Sequence, residues 1–179
     1  RQLQGSLFDP AEFGRSYYTN RKVIEELIQK FPNTLLLATG AMLIAVPSGI
    51  MLGFISVIRR GTVYDRAVSA LSVAGLSIPV FWSGLLIMLI FSLKLKLLPP
   101  SGMGDIRFLI MPAVTLALPA IATLARISRT TMIEIIDMPY VRTARAKGIT
   151  ENRVRLVHVL KNALLPLVTV IGLDFGSYL

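Results

Sequence analysis

His158 is the only histidine in the chain, and there is no cysteine. No Ser or Cys stands at a recognisable spacing from His158, and one imidazole makes neither a nucleophile–base relay nor a metal site. It is therefore read as structural. Without cysteine, disulfides, thiolate catalysis and Cys-based zinc sites are excluded. A Gly-x-x-x-x-Gly-Lys-Ser/Thr stretch, whose N–H groups would cradle nucleotide phosphates, does not occur. These residues predict a chain that is not an enzyme and that holds no cofactor or metal of its own.

What remains is charge and aromatic surface, and it is concentrated. The stretch PYVRTARAKGITENRVRLVHVLKNALLP, Pro139 to Pro166, is the most cationic part of a mostly apolar chain. It carries helix punctuation. Asp137 and Pro139 suit a helix start, Gly148 suits a left-handed stop, and Thr150 with Glu151 suits a new start. The pattern predicts a short helix, Tyr140 to Lys147, lying across the membrane surface, then a helix that re-enters the bilayer. On the short helix Tyr140, Ala144 and Lys147 share one face, Val141, Ala144 and Gly148 a neighbouring one, and Arg142 and Arg145 another. Small residues flanked by an aromatic and a charged rim would make a docking surface for a protein partner. A solvated basic loop that fixes orientation fits the residues equally well.

Three further residues are candidates for lining a pathway. Asp174 falls within an apolar run, and a carboxylate there faces either a cavity or a hydrated outer interface. The hydrated placement is preferred, because the limits of that run are not set. Phe81 and Trp82 follow Pro79 and could face a pathway, although packing is the commoner role of such aromatics.

The elements that position these residues are spans. The chain is 54% hydrophobic and 16% charged, above the apolar share of about 45–50% usual in soluble domains. Thr34–Ile58, Ala67–Leu93 and Phe108–Ala125 hold no charge, and a fourth apolar run begins near Asn162. About 20 such residues cross the hydrocarbon core as a helix. Alternating ten-residue segments are absent, which argues against a barrel. The expectation is an all-α polytopic membrane protein with about four spans, and a partial chain, since the last run is cut short at Leu179. Pro47, Gly49 and Gly53, then Gly75 and Pro79, interrupt the first two spans; Pro112 and Pro119 flank the third. Such kinks suit moving or cavity-lining helices, and equally the ordinary enrichment of Gly and Pro in membrane helices.

Residues 1–32 differ in kind. Phe8, Phe13, Tyr17 and Tyr18 stand among polar residues, and Val23, Ile24, Leu27, Ile28 and Phe31 recur at helical spacing. This predicts an extracytoplasmic or interfacial segment, as an amphipathic helix or a plain connector, ahead of a membrane domain at 33–179. Basic residues set orientation. The loops Arg59–Arg66 and Arg126–Lys161 together carry eleven Lys and Arg, so they are placed in the cytoplasm and the Leu93–Arg107 hairpin outside. A net charge of +9 also fits nucleic-acid binding, but charge partitioned between long apolar runs excludes that partner in favour of a lipid bilayer.

"YVRTARAKG" followed by "NALLP" resembles the cytoplasmic loop of permease subunits of ATP-binding-cassette importers, in particular the dipeptide/oligopeptide/nickel class. The general importer pattern reads Glu-Ala-Ala, three residues, Gly, then Ile-x-Leu-Pro. Gly148 matches the Gly and Ala144 the second Ala, while Arg142 and Thr143 replace the Glu and first Ala. His158 to Lys161 occupies the Ile-x-Leu-Pro position, with Lys161 in place of Pro and Leu165-Pro166 five residues later. These departures are themselves typical of the peptide/nickel class. Ile78 to Gly102 and Glu12 to Ala38 resemble that class as well, as a membrane helix with its outer loop and as a pre-membrane segment.

The resemblance implies a type I importer permease fold lacking a first and a last helix, in a bacterial or archaeal plasma (inner) membrane. It implies a homologous second permease subunit, two ATPase subunits that bind ATP and Mg, and an extracytoplasmic substrate-binding protein. Within a coupling loop of about 126–161, Tyr140, Val141, Arg142, Thr143, Ala144, Arg145, Ala146, Lys147, Gly148 and Ile149 would form the coupling helix seated on an ATPase. Short peptides are the expected substrate, with nickel the alternative; Met42, Met51 and Met88 lie in spans but read as packing. An ATPase-independent membrane channel is the rival of another class, and it would need no docking helix.

Overall fold

The computed structural model describes Gly14 and residues 21–102 and 104–179. Among these residues every regular element is helical. Helix α1, Val23–Ile58, has 36 residues, about 54 Å at 1.5 Å per residue, well beyond a hydrocarbon core of about 30 Å. Its first turns carry Glu25, Glu26 and Lys30 and extend out of the apolar zone. The helix runs unbroken through Pro32. From Val23 onward, then, the segment read as a separate interfacial element is the start of α1 itself. Phe8, Phe13, Tyr17 and Tyr18 lie outside the described residues.

Helix α4, Ile106–Ile136, is α1's main partner. Gly40 abuts Ala113, Gly49 abuts Leu124 and Gly53 abuts Ser128. The contacts climb both helices in step, so the two run parallel. Ala41, Ala45, Gly49 and Gly53 recur every fourth residue and are all buried. Such a stripe of small residues lets backbones approach closely, which is how helices associate where lipid offers no hydrophobic drive. Met42, Ala45, Ala117, Ala120, Leu124 and Leu167 form the apolar core at mid-height.

Two parallel helices need a return crossing between them. Helix α2, Val63–Ser77, and helix α3, Val80–Ile87, supply it together with a π-helical segment, Met88–Lys94. The expected single span is bent by 101° at Ile78–Pro79. Pro79 has no N–H to give, and its ring forces the residue before it out of helical conformation; Ile78 sits at φ −82°, ψ 123°. The Pro79 carbonyl then starts α3 by accepting from the N–H groups of Trp82 and Ser83. Along α4, Asp65 meets Arg129, Gly75 meets Ala122, Gly84 meets Thr115 and Gly102 meets Phe108. That steady advance belongs to one bent crossing, not to a hairpin that returns to its own side. With it, the described residues hold helices for four spans, one of them broken.

Residues 126–136, expected in a loop, are the last turns of α4. Arg126 is exposed there while Ser128 and Met132 are buried, so the charge marks the end of the apolar zone and not the end of the helix. Pro112 and Pro119 accordingly lie inside α4 and do not flank it. The link from α4 to the next span is therefore shorter than expected. It holds helix α5, Pro139–Ala146, and the turn to helix α6, Glu151–Arg153, which passes through a π-helical segment, Val154–Leu160, into helix α7, Lys161–Tyr178. Ala163 packs near Met132, Leu167 near Leu124, and the Tyr178 hydroxyl donates to the Leu116 carbonyl at 2.8 Å. Helix α7 therefore runs back along α4 in the opposite sense. The turn after α1, the end of α4 and the start of α6 all meet at one end, which is the basic end.

A candidate docking helix at the basic end

The sequence around α5 dictates both its limits. Met138 is extended at the N-cap, and Pro139, which needs no hydrogen-bond acceptor for a missing N–H, opens the first turn. Asp137, expected to cap this helix, instead ends α4, and no side chain caps α5. The stop is as the sequence predicts. Gly148 adopts φ +76°, its N–H donates to the Arg145 carbonyl at 2.9 Å, and the Ile149 N–H donates to the Ala144 carbonyl at 3.3 Å. This pair of bonds is a Schellman stop, with Ile149 packing beside Ala144 as the motif favours.

The helix is two-sided. Val141 and Ala144 point inward and are buried among Val57, Met132, Val154, Val159 and Ala163. Ala144 is thus not part of a surface offered to a partner, as the face assignment from sequence had it; its small size serves close approach to the protein's own core. Tyr140, Arg142, Thr143, Ala146, Lys147 and Gly148 are exposed. Arg145 is exposed but engaged. Its guanidinium grips both Glu151 carboxylate oxygens at 3.1 Å, and its Nη1 donates to the Ile136 carbonyl at the end of α4. The Glu151 hydrogen bonds outweigh desolvation and raise the Arg145 pKa above its ordinary value. Arg145 is therefore a fastener between α4, α5 and α6. Among the described residues Arg142 and Lys147 have no ion-pair partner, which leaves two exposed cations, Lys147 on the Tyr140 side of α5 and Arg142 on another. His158 enters here through its main-chain carbonyl, which accepts from the Tyr140 hydroxyl at 3.5 Å and from the Asn162 amide at 2.6 Å.

The pathway candidates lie elsewhere and apart from one another. Phe81 is 72% exposed and Trp82 about half exposed on α3. Phe81 lines an open groove of about 670 Å³ with Leu85, Met88, Pro100, Phe108 and Pro112, toward the end opposite α5. Asp174 is on α7, partly buried, and one of its carboxylate oxygens has no hydrogen-bond partner among the described residues. No cavity described here is lined by both Phe81 and Asp174.

A family model described as binding-protein-dependent transport system inner membrane component matches residues 45–179, from the middle of α1 through α7. The chain belongs to that family. It is 38% identical to the di/tripeptide transport system permease protein DppB of Pseudomonas aeruginosa, over 93% of this chain and 58% of that protein. It is 34% identical to the dipeptide transport system permease protein DppB of Escherichia coli K12, over 94% and 59%. It is 39% identical to the glutathione transport system permease protein GsiC of Salmonella choleraesuis, over 94% and 55%. The chain spans 55–59% of the length of these relatives.

This inner membrane component holds one polar cluster that the sequence reading missed. Asp65, in the first turn of α2, is 6% exposed at its side chain, and Arg129 of α4 is 28% exposed. Arg129 Nε and Nη2 donate to the two Asp65 oxygens at 2.6 and 3.0 Å. The Ser56 hydroxyl, at the end of α1, and the Gly61 N–H donate to the same carboxylate. Four donors thus converge on one buried anion and tie α1, the α1–α2 turn, α2 and α4 together. The signal in the sequence was Asp65 itself, one acid among Arg59, Arg60 and Arg66.

Proposed function

We propose that the chain is a permease subunit of an ATP-driven, binding-protein-dependent importer of short peptides in the bacterial inner membrane. The observation that carries this reading is α5: a helix anchored by Val141 and Ala144 into the core shared by α1, α4 and the π-helical start of α7, and presenting Tyr140, Arg142, Thr143 and Lys147 outward. A helix that only capped the membrane domain would not need a free cationic outer face on so rigid a seat. The names of the relatives, which are di/tripeptide, dipeptide and glutathione transport permeases, support the substrate class.

In this reading α5 is the coupling helix, and residues 126–161 divide into lever and contact. The outward face of α5 seats on one of two cytoplasmic ATPase subunits, which bind ATP and Mg. Closure of the ATPases displaces α5, and the core beneath it passes the displacement to α1, α4 and α7. A bistable membrane domain then changes the side to which it opens. A homologous second permease encloses the other half of the path, and an extracytoplasmic binding protein delivers the peptide. Phe81 and Trp82, beside the bend in the second span, and Asp174, on the last helix, are assigned to the path wall.

The test is co-purification of the full-length permease with its ATPase subunits, together with ATP-dependent uptake of a labelled dipeptide. Arg142→Glu with Lys147→Glu is expected to abolish both while the permease itself stays folded. Full ATPase retention by that double variant would overturn the assignment of α5.

A further inference from the structure

Helix α2 is secured only lightly by apolar packing, with Val68 its one buried apolar side chain. Neither apolar core draws a residue from it. Where it faces α4, a cavity of about 270 Å³ opens between Val68, Leu71 and Gly75 on one side and Ile121, Ala122 and Ala125 on the other. A second space, of about 190 Å³, lies beside Ser69, Ser72, Arg126 and Arg129. Two such spaces, each partly open to the outside, leave fewer atoms in contact to resist sliding there. What holds α2 to α4 at the basic end is the Asp65 carboxylate and its four donors.

We propose that Asp65 and Arg129 are positioning residues for transport: their pairing makes α2 move as one body with α4, so that displacement of α5 reaches the bend at Ile78–Pro79. This rests on the coupling role given to α5 above. Arg129 stands three residues before Met132, which packs in the core beneath Val141, so both lie on neighbouring faces of α4. Push on Met132 is therefore push on Arg129. Asp65 opens α2, and α2 runs as one uninterrupted helix to the bend. Apolar contact is non-directional and yields to sliding, whereas a bidentate charge pair fixes distance and angle at once. Without the pair, α4 would move and α2 would slip across the two spaces, leaving Phe81 and Trp82 where they were.

The test uses the full-length permease in its complex, reconstituted in liposomes. The stretch described here holds no cysteine, so spin labels are placed through Val73→Cys on α2 and Glu134→Cys on α4, both exposed. The distance distribution between them is measured, and ATP hydrolysis and labelled Ala-Ala uptake are measured on the same samples. Asp65→Asn and Arg129→Gln are expected to broaden the distribution and to lower uptake per ATP by about tenfold, as loss of a coupling free energy would. Arg129→Lys, which keeps the charge without the fork, is expected to fall between, and Asp65→Arg with Arg129→Asp to narrow the distribution again. An unchanged distribution in Asp65→Asn and Arg129→Gln overturns the proposal. So does uptake per ATP that stays at the wild-type value while only the yield of complex drops. Absence of ATP-driven uptake in the wild type would sink the peptide-importer reading instead, and the label distances would still decide whether α2 is tied to α4 by this pair.

Discussion

Gly53→Ala is the smallest change that should loosen the membrane domain. A Cβ at Gly53 would lie 2.5 Å from Ser128 Cβ, 2.8 Å from the Ala125 carbonyl oxygen and 3.0 Å from the Arg129 amide nitrogen. Carbon atoms in contact sit about 3.5–4.0 Å apart, so α1 and α4 must part by roughly 1 Å. Two of the three obstructing atoms are backbone and cannot rotate away. Overpacking of this kind costs about 1–3 kcal/mol, and rigid obstruction places it in the upper half of that range. The helix propensity gained on replacing glycine returns about 1 kcal/mol, for a net loss of about 1–2 kcal/mol. Gly40→Ala is the control. Its Cβ would meet Ala113 and Leu109 at 3.6 Å, ordinary contact, so it keeps the propensity gain. The two variants should differ by about 2–3 kcal/mol in SDS titrations of the full-length protein followed by circular dichroism. Equal midpoints for the two would refute the packing argument.

Three further outcomes follow from α5 and its surroundings. Ala144→Glu places a carboxylate in an apolar core and should abolish monodisperse protein on gel filtration, whereas Lys147→Glu should leave the melting temperature unchanged and weaken only ATPase retention. Gly148→Ala meets no neighbour within 4 Å but must hold φ +76°; a cost of about 1–2 kcal/mol, read as a lower melting temperature, is expected. Arg145→Ala removes a pair whose side chains are 36% and 43% exposed, so solvent screening should hold the loss to about 0–1 kcal/mol and leave thermal unfolding nearly unmoved.

The spans and the short helix α5 were legible because each rests on local signals. Uncharged runs mark hydrocarbon, and Pro139 and Gly148 bracket a helix whose ends are fixed by backbone chemistry alone. The break at Pro79 was visible as an interruption, but its 101° bend depends on how α3 packs against Thr115 and could not be read from the chain. Charge misled twice. Arg126 and Arg129 suggested a loop where α4 continues, because Arg126 is hydrated while Ser128 and Met132 stay buried, and Arg129 is paired with Asp65. Asp65 drew no notice among Arg59, Arg60 and Arg66, because its partner stands 64 residues away and no periodicity links the two. Ala144 was given the wrong side, since a small residue serves a close contact equally well inward or outward. Residues 1–13 and 15–20 stand outside the described structure.

The parallel pairing of α1 with α4 also bears on how the protein is made. Synthesis delivers α1, the first turn and the bent crossing before α4 exists. Until then the small-residue stripe of α1 lacks its α4 partner, and the Asp65 carboxylate lacks its guanidinium. The nascent chain must wait at the membrane with that stripe unzipped and its acid only half answered, by Ser56 and Gly61. A ribosome stalled before Arg129 is translated should therefore leave an intermediate that quality-control proteases find easily, while a stall a few turns later should leave one that they do not.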